Sequence, residues 1–266
     1  MNPIHTRACI VIGKTFALLV FTLVLTHCTH HVYVEMPPGQ PMRDIEVPSG
    51  RTELIPTSAS SVGVAYEEDT DHLFLRLVGG TQLWEVERST GNRIRQFVAM
   101  RVTAGCDGGG PGGGEEAEEE PAKECGLAMR YSDRHLFLDH PGGLGLIAEI
   151  DDQGTWIQNI QINPLNGQRI GGLAYDQDRN TIYVLYVQAI SEVIEIDLSG
   201  AVVRRIALNA QTRPFGLSYS SEREELYLEL VNETHLGVFD LNGQLIDQHA
   251  LHGLATVQGI GAGERN

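Results

Sequence analysis

GGLAYDQDRNTIYVL, residues 171–185, joins a glycine-marked apolar start, a polar turn and an alternating apolar run, and the chain repeats this arrangement three more times. The sister stretches are VGVAYEEDTDHLFLR from Val62, CGLAMRYSDRHLFLD from Cys125 and FGLSYSSEREELYLE from Phe215. Each continues into a second alternation and a turn: LWEVERSTGNRIRQF, LIAEIDDQGTWIQNI, VIEIDLSGAVVRRIAL and LGVFDLNGQLIDQHAL. The marker glycines Gly126, Gly172, Gly216 and Gly259 lie 46, 44 and 43 residues apart. Gly63 and Gly126 are 63 apart, and discounting the roughly nineteen residues between Cys106 and Cys125 restores the common period. That segment is an insertion into a regular array.

Period-two alternation, β-branched and aromatic enrichment, and turns such as DLSG, DLNG and RSTG make each unit four short strands, a to d. Four strands in about 44 residues, repeated, predict an all-β β-propeller. Helical repeats are excluded, because no apolar pattern holds a 3.6-residue period long enough for a paired helix. The ends complete the array. DIEVPSGRTELI (44–55) aligns with strands c and d, HVYVEM (31–36) supplies a strand b, and VQGIGA (257–262) repeats the start of strand a. A composite blade from the two termini closes the ring and removes exposed sheet edges, which predicts five blades. Six blades, with a degenerate one in residues 29–61, is the alternative.

The organisation that follows is a leader over 1–28, a tether and first strand over 29–43, a propeller over 44–262 and a tail over 263–266. Arg7 and Lys14 precede or begin a twelve-residue apolar run, TFALLVFTLVLT (15–26), which is short for a bilayer span and fits a signal-peptide core. This predicts export to the periplasm or outer surface. LTHC (25–28) resembles a bacterial lipobox, which would make Cys28 the lipidated residue, with His27 standing where a small residue is usual. An uncleaved signal anchor leaves the domain on the same side. Cys106 and Cys125 then lie in an oxidising compartment and are expected to pair, closing a loop of about twenty residues for on the order of 3 kcal/mol. Two reduced thiols are the alternative.

Formal net charge is −16, from 35 acidic and 19 basic residues. Nucleic acid and anionic lipid surfaces would repel such a chain, so membrane contact is expected only through the N-terminal anchor. Seven of the acids and one lysine fall between the two cysteines. EEAEEE lacks the fixed Asp spacing of calcium loops, so diffuse, weak calcium attraction is expected and no cofactor. His27, His30 and His31 border the leader and read as a solvated tether.

RPFGLSYSSEREELYLELVNETHLGVFDLNGQLI (213–246) resembles the NHL-repeat and related lactonase-like propellers, whose blades run Pro-x-Gly-hydrophobic, strand, then an Asp-x-x-Gly turn. The resemblance covers most of residues 44–262. It implies a scaffold that hosts binders and enzymes alike. Lactonase-like members hold a divalent cation with Glu, Asn and Asp around the channel, commonly with Asn before the strand-a glycine. Here Val62, Cys125, Gly171, Phe215 and Gln258 stand there, which counts against that chemistry.

Strands alternate in direction, so d-to-a and b-to-c connections emerge on one face. That face gathers the candidate ligand-binding residues Arg76, Asp139, His140, Arg213, Phe215, Glu229, Asn232 and His235, with the Cys-bounded insert as either an acidic rim or a plain elaboration. Arg76, Asp139 and Glu229 align at the ends of strands b, as a polar ring or, in the favoured reading, as inter-blade salt bridges. Asp139 beside His140 forms an acid/base pair only if a substrate reaches it. No nucleophile motif is present, and NET (232–234) is a formal glycosylation sequon. The residues therefore point to a monomeric exported binding or scaffolding module for a protein, peptide or cell-wall glycan. A metal-dependent hydrolase or lactonase of the same fold is the alternative. A structural envelope component whose acidic loop only manages charge is a third reading.

Overall fold

The computed structural model describes residues 29–35, 41–47, 49–57, 59–102, 126–140, 145–163, 170–186, 192–213, 216–231, 235–251 and 259–265. They form five four-stranded antiparallel sheets, one per repeat. Blade 1 holds β4 (Ser61–Glu67), β5 (His72–Leu77), β6 (Gln82–Glu87) and β7 (Arg93–Val98). Blade 2 holds β8 (Leu127–Arg130), β9 (His135–Asp139), β10 (Leu146–Ile150) and β11 (Trp156–Gln161). Blade 3 holds β12 (Ile170–Asp176), β13 (Thr181–Tyr186), β14 (Glu192–Ile196) and β15 (Val202–Ala207). Blade 4 holds β16 (Ser218–Ser220), β17 (Glu225–Glu229), β18 (His235–Asp240) and β19 (Leu245–Ala250).

Blade 5 is the composite that the terminal sequences predict. Its order is β20 (Gly259–Arg265), β1 (Thr29–Glu35), β2 (Met42–Val47) and β3 (Arg51–Ile55). β20 pairs with β1 over seven positions, from Thr29 opposite Arg265 to Glu35 opposite Gly259. Innermost strands touch in the cyclic order β4, β8, β12, β16, β20 and back to β4, so the ring is closed with five blades. Two boundaries move. The strand expected over 31–36 runs over Thr29–Glu35, and β20 continues past residue 262, where the repeat was expected to stop, to Arg265.

The core is divided among the interfaces between blades. Second and third strands bury apolar side chains on both faces while the outermost strands are largely exposed, and five clusters result, one per neighbouring pair. At its centre each holds the aromatic ring of a second strand: Tyr33, Phe74, Phe137, Tyr183 or Tyr227, every one fully buried. Rings of this size contribute roughly 3 kcal/mol or more apiece against truncation.

Crowding at the axis explains the marker glycines. A Cβ on Gly126 would meet Leu173 Cγ at 2.7 Å, and one on Gly172 would meet the Leu217 backbone nitrogen at 2.7 Å. The turn glycines between third and fourth strands have a different cause. Gly154, Gly200 and Gly243 adopt φ of +85°, +83° and +79°, and each presses on a backbone carbonyl at the end of the preceding blade, those of Val98, Gln161 and Ala207. The Asp-x-x-Gly turns fix the blades' spacing as well as their hairpins.

Candidate functional site

The face carrying the d-to-a and b-to-c connections holds the described candidates, and four of them meet in two pairs. Arg76, at the end of β5, is fully buried and reaches across to blade 2, where its Nη1 donates to Asp139 Oδ1 at 2.5 Å and its Nη2 to the Asp139 carbonyl at 2.9 Å. Its Nε donates to the carbonyl of Gly80 (3.0 Å) and its Nη1 also to that of Gly126 (2.9 Å). Burial pushes the Asp139 carboxyl up and the Arg76 guanidinium down, and their mutual attraction opposes both shifts. With four of its five N–H donors placed on acceptors, two of them on blade 2's Asp139, this guanidinium is an inter-blade clamp.

A second pairing lies within blade 4. Arg213 Nε sits 3.1 Å from Glu229 Oε1, and its backbone N–H donates to the Glu229 carbonyl at 2.8 Å. Glu229 is buried, while Arg213 is one-third exposed and presents the outer side of the pair to solvent. His140 is half-buried, with Nε2 3.4 Å from Asn159 Oδ1, and burial lowers its pKa from the ordinary imidazole value. It points to the outer strand and not to Asp139. His235 opens β18, and its carbonyl accepts the Leu230 N–H at 3.0 Å. Phe215, Asn232, Cys28, Cys106 and Cys125 lie outside the described residues.

The axial channel is closed by one aliphatic residue from each innermost strand: Val64, Leu127, Leu173, Leu217 and Ile260. Toward the opposite face it widens into a cavity of about 30 Å³ rimmed by Tyr66, Met129, Tyr131, Tyr175, Gln177 and Tyr219. That is room for about two water molecules. The tyrosine hydroxyls there are engaged, Tyr66 to Asp71 at 3.0 Å, Tyr175 to Asn180, and Tyr219 accepting from Arg179 at 2.9 Å. The five plugging side chains offer no donor atoms for the channel cation that the lactonase-like resemblance implies.

The polar residues that the sequence reading missed form a belt below that opposite face. Third strands of four blades bury an acid directly across from the second-strand ring: Asp44, Glu85, Glu149 and Glu195. Three of them bind a histidine two residues before that ring: Asp44 to His31 Nδ1 at 2.5 Å, Glu85 to His72 Nδ1 at 2.8 Å, and Glu149 to His135 Nδ1 at 2.7 Å. In blade 3 Thr181 donates to Glu195 at 2.7 Å instead. His31 therefore corrects the tether reading, since it is a buried member of the repeat, and His30 is buried beside it. The signal was in the sequence as HVY, HLF, HLF, TIY and ELY.

Glu67, His72 and Glu85 lie close enough to share a cation. Arg134 already bonds both glutamates, at 2.8 Å to Glu67 and 3.0 Å to Glu85, and Arg95 bonds Glu85 as well. Hydrogen bonds from Arg95 and His72 hold Glu85 below its ordinary carboxylate value, against the opposing effect of burial. The trio is a neutralised network of blades 1 and 2.

No family model matches the chain, and no curated protein matches it in sequence. Among solved structures, a chain of a nidogen/laminin complex superposes with a TM-score of 0.58 at 11% identity, covering 88% of this chain and 98% of that one. Myxococcus xanthus glutaminyl cyclase gives a TM-score of 0.48 at 12% identity, over 76% of this chain and 70% of that one. The first likeness is one of fold, and with the five closed sheets it makes this chain a β-propeller.

Proposed function

We propose that the chain is an exported binding module, tethered through its N-terminal leader, that recognises a macromolecular surface with the face bearing His140, Arg213 and His235. The observation that carries this reading is the closed axis. Small-molecule sites enclose several hundred Å³, whereas the channel here holds a cavity of about 30 Å³ and is plugged by five aliphatic side chains. On the connection face the buried Asp139 is bonded to the buried Arg76, and the buried Glu229 is paired with Arg213. Among the described residues, the surface left for recognition is the rim, where connections stand on rigid strands.

A protein partner fits a rigid rim of this kind, and the nidogen/laminin likeness supports a protein over a peptide or a cell-wall glycan. The NHL-like type of the repeat, the periplasmic or surface location and lipidation at Cys28 belong to the same proposal and rest on the sequence. The test is capture of envelope partners by the full chain, comparing wild type with His140→Ala plus Arg213→Ala and with Asp178→Ala plus Glu222→Ala on the opposite face. Loss of a saturable partner in the first pair alone is expected. Equal capture by all three, or loss only in the second pair, overturns the assignment of the face.

A further inference from the structure

Four interfaces between blades follow one plan, and the fifth departs from it in two places. Tyr33 packs on Tyr66, Phe137 on Tyr175 and Tyr183 on Tyr219, while Phe74 shares its cluster with Met129. Between blades 4 and 5 the partner of Tyr227 is instead His30, stacked with ring centroids 5.1 Å apart and planes 16° from parallel. His30 is 2% exposed, and neither ring nitrogen has a hydrogen-bond partner. The turn contact differs too. Where Gly91, Gly154, Gly200 and Gly243 press on backbone, Gly50 of blade 5 meets, among the described residues, only His249 Nδ1, at 3.5 Å. His249 is itself buried, its Nε2 making no hydrogen bond and lying 3.6 Å from Asp247.

We propose that the interface between blades 4 and 5 is an acid-opened latch, in which charging the His30 imidazole parts this seam while the other four interfaces stay closed. An imidazolium there would hold two N–H donors without an acceptor, beside a cluster containing Val32, Val47 and Tyr227. Charged and titratable groups facing it give little relief. From blade 4 come Arg223, ion-paired to Glu225 at 2.7 Å, and Tyr227, whose hydroxyl donates to the same glutamate at 2.8 Å. From its own blade comes His31, already bonded to Asp44; the backbone register partner of His30 on β20 is Glu264.

Burial first, then the charges of Arg223 and His31, hold His30 down at about 3. The sign follows from this depressed value. Between the ordinary 6.5 and about 3 the opened seam binds more protons than the closed one. Closure is therefore complete above the ordinary value and weakens as pH falls, its opening constant rising by up to about tenfold per pH unit.

Hydrogen exchange on the full chain at pH 7.5 and 4.5, corrected for intrinsic rates, tests this. Segments in β1, β17 and β20 are expected to lose protection by about tenfold or more at the lower pH, with β9 and β13 unchanged. His30→Phe, which installs the ring used elsewhere, and His30→Gln are both expected to abolish the difference. Uniform loosening of all five blades, or an acid response kept by both variants, overturns the latch. Where a variant fails to fold, NMR titration of wild-type His30 decides: titration below about 4 supports the latch, and titration near the ordinary 6.5 overturns it.

Discussion

The interface between blades 1 and 2 and the one between blades 4 and 5 have the same strands in the same order, but they are held by different forces. The first combines a large apolar cluster with the buried Arg76–Asp139 clamp and the Arg134 and Arg95 bonds to Glu85 and Asp152. The second has apolar packing, a histidine stacked on Tyr227 and a looser turn contact at Gly50. The difference teaches where a closed ring assembled from one chain keeps its give. Blades 1 to 4 are each continuous in sequence, whereas blade 5 forms only when the two ends meet.

Breaking the clamp gives the largest effect. Removing one partner of a buried ion pair leaves the other charge without compensation, so Arg76→Ala or Asp139→Ala is expected to destabilise by about 3–5 kcal/mol in denaturant unfolding. Replacing both, as Arg76→Met with Asp139→Leu, is expected to recover most of the loss, because it removes the desolvated charges together. A single-variant cost under about 1 kcal/mol would show that the pair is not the fastening described here.

The array, the composite blade and the turn glycines were legible in the sequence, because each blade must satisfy the same steric demands and so repeats the same residue types. The alignment of Arg76 with Asp139 at the ends of second strands was legible too. Their pairing across the interface was the favoured reading and is what the structure shows, whereas the Glu229 partner, Arg213 of the preceding connection, was not legible because it depends on the path of that loop. His31 shows how context misleads: HVY matches HLF and TIY in the repeat, but its place beside an apolar leader made it read as tether. The buried acids of the third strands were visible as a repeated position, although acids in an acidic chain look like surface until their histidine and arginine partners are placed.

Substitution of the turn glycines sharpens the contrast between the interfaces. A Cβ on Gly243 would lie 2.0 Å from the Ala207 carbonyl oxygen, and one on Gly200 would lie 2.1 Å from that of Gln161. Because these are backbone atoms, Gly243→Ala and Gly200→Ala must move one blade against the next. A cost of about 2 kcal/mol or more is expected, part of it from the positive φ. Gly50 also has a positive φ, +70°, but its nearest neighbour among the described residues is a side-chain nitrogen at 3.5 Å, an ordinary contact. Gly50→Ala is therefore expected to cost only the backbone strain, about 1 kcal/mol. Equal losses in chemical unfolding at the three sites would erase the distinction between the seam and the interfaces of blades 2 and 3 with 3 and 4.

The smallest effect runs in the opposite direction. Hairpins between first and second strands place Asp71, Arg134, Asn180 and Glu224 at φ of 57°, 61°, 56° and 54°, the left-handed region where a residue other than Gly or Asn is strained. Asp71 and Arg134 are tied into buried acid–base networks that offset the strain, and Asn180 suits the conformation. Glu224 is 57% exposed, and its described ion-pair partner is Arg179, which also holds Asp176 at 2.9 Å and Tyr219 at 2.9 Å. Glu224→Asn should keep the turn, relieve most of the strain and lose only a surface pair, a net gain of about 0.5 kcal/mol. Asn180→Glu is the reverse exchange in blade 3, where it also disturbs the Tyr175 hydroxyl bond to the Asn180 side chain, and should lose somewhat more. Opposite shifts in melting temperature for the two variants would establish that backbone conformation sets the residue type at this turn, and shifts of the same sign would show that the ion pair does.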